Sequence, residues 1–142
     1  MIAAADFLAA ARAVAREVLE AMFFSEAEPV SCQHLEECVA VRVGFHGGEM
    51  AVMISPQLAV AASAAFLAED SDEVTTEQRE MVSRELANIL CGAVLSRLHP
   101  DQRVALRAPE MAAPDFGSGA AVHQCFATPE GRLAITARLD CA

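Results

Sequence analysis

A chain of 142 residues, 54% of them hydrophobic and with a mean hydropathy of +0.32, carries enough apolar surface to build one core, which excludes an intrinsically disordered polymer. Its 20 acidic and 10 basic residues leave a net charge of −10, and every basic residue is arginine. That balance disfavours a nucleic-acid surface held by phosphate contacts, and the absence of Lys, Trp and Tyr removes Schiff-base chemistry, the phosphate-loop lysine and two common platforms for stacking bases or sugars.

From Ala3 to Phe24 the residues Phe7, Leu8, Ala11, Val14, Ala15, Val18, Leu19 and Met22 recur at helical spacing and predict one long first helix. This segment carries Asp6, Arg12 and Arg16 and has no basic leader, so it reads as neither a signal peptide nor a membrane span. After Ser25–Pro29, alternation through Cys38–Phe45 and again through Met50, Val52 and Ile54 predicts a hairpin turning at His46-Gly47-Gly48-Glu49. Ser55-Pro56 has the form of a helix cap followed by proline at the first helical position, launching a short helix through about Leu67.

The acidic run 69–73 reads as a linker, without the spacing of a calcium loop. Thr75 with Gln78 fits a capping box for a third helix that ends at His99-Pro100. Strands follow at Val104–Leu106, Ala121–Phe126 and Leu133–Leu139, with a Pro- and Gly-punctuated loop from Pro109 to Gly119 and a turn at Pro129-Glu130-Gly131. The expected order is α-β-β-α-α-β-β-β. Hairpin-spaced strands predict an α+β fold, an antiparallel sheet packed against long helices, in a single domain spanning 1–142.

Five cysteines, Cys32, Cys38, Cys91, Cys125 and Cys141, are odd in number and never spaced as C-x-x-C, which argues against a disulfide framework and for a reducing, cytoplasmic setting. His34 between Cys32 and Cys38 offers three ligands in an unusual pattern, read as structural or surface residues rather than a metal site. His46, His99 and His123 read as turn, helix-end and strand positions. Ser118 lies between two glycines but lacks the G-x-S-x-G frame of a nucleophile elbow.

The third helix holds the candidate chemistry. On a wheel with Leu86 at zero, Val82, Ile89, Leu90 and Ala93 lie within about 60° and form the expected buried face. Met81, Glu85, Asn88 and Gly92 fall together on another flank, between about −100° and −160°. Glu85 and Asn88 are i, i+3 neighbours. Gly92, one turn on, sits where Gly costs about 1 kcal/mol relative to Ala, a cost that suits close approach of another backbone.

The segment Ser83-Arg84-Glu85-Leu86-Ala87-Asn88-Ile89-Leu90-Cys91-Gly92 resembles the central helix of the CheC/CheX family of chemotaxis phosphatases, with its E-L-x-N-x-x-x-G pattern. The first helix ending in Glu20-Ala21-Met22-Phe23, the hairpin ending in Met53-Ile54-Ser55, and Val104-Ala105-Leu106-Arg107-Ala108-Pro109 resemble other parts of a CheX-like domain. The resemblance implies a phosphatase that removes the aspartyl phosphate of a CheY-type response regulator. Glu85 would pair with a lysine of the regulator and Asn88 would position the attacking water, with Met81 and Gly92 meeting the partner. It implies no cofactor bound by this chain, Mg²⁺ being held by the phosphorylated partner. Met81 stands where CheC-type proteins often have Asp or Ser, and Met111 where they have Pro. The first helix offers Glu17 and Glu20 without the second E-x-x-N of CheC proteins, so the chain is closest to single-site, homodimeric CheX-like domains. The alternative reading is a non-catalytic dimeric module that keeps the fold and binds a signalling partner.

Overall fold

A computed structural model describes residues 2–23, 26–32, 37–113 and 120–140. Helix α1 (Ala4–Phe23) is followed by strand β1 (Glu28–Val30), the hairpin β2 (Val39–Phe45) and β3 (Gly48–Ile54), helix α2 (Pro56–Leu67), a short 3₁₀ turn at Ser71–Glu73, and helix α3 (Thr76–Leu98). Strands β4 (Glu110–Met111), β5 (Val122–Thr128) and β6 (Gly131–Leu139) complete it. The fold is α+β, as the hairpin spacing predicts: one antiparallel sheet in the order β1-β5-β6-β3-β2-β4, with the helices on one face. Among the described residues no helix is long and apolar enough to cross a membrane.

Period-two alternation sorts the sheet. Val41, Val43 and Phe45 of β2, Met50, Val52 and Ile54 of β3, and Leu133, Ile135 and Ala137 of β6 share one core with Phe7, Val14 and Leu19 of α1 and Leu86 and Leu90 of α3. Phe7 stacks on Phe45 with ring centroids 6.2 Å apart. Arg12 of α1 donates from Nε to Gln124 Oε1 at 3.0 Å, and the Gln124 amide donates to the carbonyls of Val30 and Cys125, tying α1 to both β5 and β1. On the opposite sheet face Ala40, Met53, Cys125 and Ala134 form a second, smaller cluster.

The caps appear where the sequence places them. Ser55 Oγ accepts from the Leu58 N–H at 3.3 Å and also from the Arg132 N–H at 3.0 Å, so one hydroxyl starts α2 and anchors β6. Thr75 and Gln78 make both bonds of the capping box, and Gln78 Nε2 reaches back to Glu69. Gly131, at φ 156°, lies so close under Ser55 and Leu58 that a Cβ there would approach them at 2.5 and 2.9 Å.

Three expectations need correction. The predicted strand Val104–Leu106 is a single bridge from Leu106 to Phe45, continued by the Arg107 N–H to the Gly44 carbonyl at 2.9 Å. Pairing with β2 resumes one register step later at Glu110 and Met111, inside what reads as a loop. Ala108 and Pro109 together span the position opposite Val43, a bulge at a residue that has no N–H for a ladder. Strand β1 was not expected because Pro29 sits within it, and as an edge strand it tolerates proline. Ile89, expected in the core, is 41% exposed. The predicted positions Phe24, His34, Ser118 and Cys141 lie outside the described residues.

Candidate functional site: the open flank of the third helix

Helix α3 packs against α1, α2 and β2, and this crowding decides which of its residues stay accessible. Its buried residues Val82, Ser83, Leu86, Ala87, Leu90, Cys91, Val94 and Leu95 take up more than half the circumference, from about −40° to 180° on the wheel with Leu86 at zero. The buried arc is therefore displaced away from Ile89 relative to the face the apolar stripe predicts. An apolar stripe locates one neighbour of a helix; here α1, α2 and the sheet all share it.

What remains is a strip holding Met81, Glu85, Asn88, Ile89 and Gly92. Met81 is 42% exposed, Glu85 is exposed, and Asn88 and Gly92 are half-buried. All four predicted site residues thus lie on one open flank. Among the described residues, neither the Glu85 carboxylate nor the Asn88 amide has a hydrogen-bond or ion-pair partner, so both retain their full bonding capacity for an incoming group. Met81 and Ile89 stand one turn to either side of Glu85, giving an acid and an amide set between two apolar side chains. Strand β4, which contacts α3, adds the exposed Met111.

Gly92 has a specific geometry. A Cβ placed there would meet only Leu106 Cδ1, at 3.7 Å, an ordinary contact. Packing within this chain therefore does not require glycine at 92, and the bare backbone faces outward beside Asn88.

The flank is a surface rather than a cavity. A cleft of about 500 Å³ opens instead near the end of α3, between Phe45, His46, Leu95, His99, Arg103 and Asp140, and none of Met81, Glu85, Asn88 or Gly92 lines it. A small molecule held on such a flank would stay largely hydrated, whereas a second protein brings its own walls and excludes water over the amide. Of the site, the sequence pattern missed Ile89; the wheel angle alone could not assign it, because only the placement of α1 and α2 fixes where the buried arc ends.

No protein-family model matches the sequence, and no curated protein matches it. Solved structures do. Chemotaxis protein CheX from Vibrio vulnificus superposes with a TM-score of 0.78 at 18% identity, covering 99% of this chain and 100% of that one. The chain has the CheX/CheC-like fold. A CheC-like superfamily protein from Shewanella sp. PV-4 gives a TM-score of 0.73 at 17% identity, over 96% of this chain and 98% of that one. The CheX–CheY–BeF3–Mg2+ complex from Borrelia burgdorferi gives 0.61 at 21% identity, over 94% and 96%. The CheX-like resemblance read from the third helix thus extends, at the level of fold, over nearly the whole chain.

Proposed function

We propose that this chain is a CheX-like phosphatase that docks on a phosphorylated CheY-type response regulator and hydrolyses its aspartyl phosphate. The observation that carries the reading is the Glu85–Asn88 pair, open on α3 beside the bare backbone of Gly92. Similarity to a CheX that is found in complex with CheY, BeF3 and Mg2+ supports the choice of partner.

The chemistry asks little of this chain beyond position. An aspartyl phosphate is an activated acyl phosphate, and the Mg²⁺ that neutralises its charge belongs to the regulator. Water oxygen attacks phosphorus in line, the bond from phosphorus to the aspartate oxygen breaks, and the products are aspartate and inorganic phosphate. Asn88 suits the orienting task because its carbonyl accepts from the water while its NH₂ donates to a neighbouring oxygen, without adding a charge beside the phosphoryl group. Glu85 would pair with a cation on the regulator, its carboxylate having no ion-pair partner among the described residues. Met81 and Ile89 would be covered on docking and keep bulk water away from the reacting centre.

The apolar setting of Glu85 also favours a second reading, binding without turnover, in which Met81 and Ile89 anchor a partner and Asn88 is incidental. Homodimerisation, implied by the resemblance, belongs to the same proposal and is read directly by light scattering. The experiment that separates the readings follows the lifetime of the phosphoryl group on a panel of receiver domains with and without the protein. Shortened lifetime on at least one receiver, lost in Glu85→Arg, is the expected result. Receiver binding with unchanged lifetime supports the non-catalytic module, and no effect and no binding on any receiver overturns both.

A further inference from the structure

On the sheet face away from the helices, three side chains from distant parts of the sequence meet. Cys32 lies just past β1, while His123 and Cys125 are two residues apart on β5 and so project to the same side. Glu28 pairs with Ala127 and Val30 with Cys125, and continuing that register brings Cys32 beside His123. The two sulfurs and an imidazole nitrogen all lie within 4.8 Å of one another. Cys32 and His123 are exposed and Cys125 is buried.

We propose that Cys32, His123 and Cys125 form a binding site for a thiophilic divalent ion of the zinc class. Zinc bonds of about 2.3 Å to sulfur and 2.0 to 2.1 Å to nitrogen in a tetrahedron require ligand atoms about 3.6 to 3.8 Å apart, and the three ligand atoms here already lie within 4.8 Å of one another. Two thiolates and one imidazole favour zinc over magnesium or calcium, which take oxygen ligands. The charges also balance: two thiolates neutralise the ion, so the buried Cys125 can ionise without leaving net charge in the small apolar cluster of Ala40, Met53 and Ala134 around it. Exposure of Cys32 and His123 gives the ion an entry path and leaves the fourth position to water or an outside ligand. Register places Thr136 opposite His123, and its buried hydroxyl has no hydrogen-bond partner among the described residues. A metal-bound imidazole almost always donates its other ring N–H, and register sets this hydroxyl directly across the ladder from His123.

The site lies on the other side of the sheet from Glu85 and Asn88. It ties the end of the three-residue edge strand β1 to β5, so an ion there acts on the sheet edge rather than on the proposed phosphatase chemistry.

The test is a titration of the full-length, fully reduced protein with Zn²⁺ against a chromophoric chelator, and with Co²⁺ as a spectroscopic probe. One ion per chain is expected, with sulfur-to-cobalt charge transfer and a tetrahedral d–d spectrum. Cys32→Ser and His123→Gln, both at exposed positions and so expected to fold, should each weaken Zn²⁺ binding by on the order of 100-fold or more, whereas Cys38→Ser should leave it unchanged. Failure to compete with the chelator, binding unaffected by Cys32→Ser and His123→Gln, or a Cys32–Cys125 disulfide as the sole pairing would each overturn the assignment.

Discussion

Replacing Gly92 with alanine separates what the fold needs from what a partner needs. In an exposed helix interior, Gly→Ala gains about 0.8 to 1.0 kcal/mol. The new methyl would touch only Leu106 Cδ1 at 3.7 Å, adding no more than about 0.2 kcal/mol of dispersion and no clash. The variant should therefore be about 1 kcal/mol more stable, a rise of about 3 °C in Tm for a domain of this size. If a receiver backbone closes on this patch, the same methyl should cost about 1 to 3 kcal/mol of docking, roughly 5- to 160-fold in kcat/KM for phosphoryl-group removal. Thermal melts followed by circular dichroism and phosphoryl-lifetime assays on one protein sample read both numbers. A lowered Tm would refute the packing argument at Leu106. A raised Tm with unchanged kcat/KM would refute the role of Gly92 in docking.

Three further outcomes follow from the same structure. Ile89→Ser should change stability by less than about 0.5 kcal/mol, as expected for an exposed side chain, yet weaken receiver binding; a loss of about 2 kcal/mol or more in a urea titration would return Ile89 to the core. Ser55→Ala should cost about 2 kcal/mol, because the Leu58 and Arg132 N–H groups both lose this acceptor, and an unchanged urea midpoint would contradict the dual anchoring role. Burial pushes the Cys91 thiol up to about 12 from an ordinary 9.0, so the unfolded chain ionises first as pH rises. Between pH 9 and about 12 this one group should erode stability by about 1.4 kcal/mol per pH unit, a component absent from Cys91→Ala, and parallel alkaline profiles of the two proteins would contradict it.

Much of this molecule is written in local pattern. Ser55-Pro56 and Thr75 with Gln78 announce helix starts because a cap needs only residues three positions apart, and the two hairpins follow from alternation interrupted by short Gly-bearing turns. What escaped reading depends on neighbours far away in sequence. Ile89 is apolar and correctly spaced for the core, but α1 and α2 draw the buried arc of α3 to its other side. Leu106 and the Glu110–Met111 pair belong to one edge of β2 divided by a bulge, which alternation cannot reveal across Pro109. The same holds for the cysteines: spacing directs attention to Cys32 with His34 and Cys38, whereas the register of β1 on β5 brings Cys32 to His123 and Cys125. The Glu85–Asn88 flank was legible because both residues sit on one helix, where spacing alone fixes direction.

The phosphoryl lifetime on a cognate receiver, measured with wild type and with Asn88→Ala at matched receiver occupancy, tests the central claim most directly. Asn88 is half-buried on an open flank and makes no hydrogen bond among the described residues, so the substitution should leave fold and docking intact. Loss of a water-orienting amide should reduce the rate at saturating protein by about 100-fold or more with little change in receiver affinity. A variant that binds and dephosphorylates as wild type does would contradict the account.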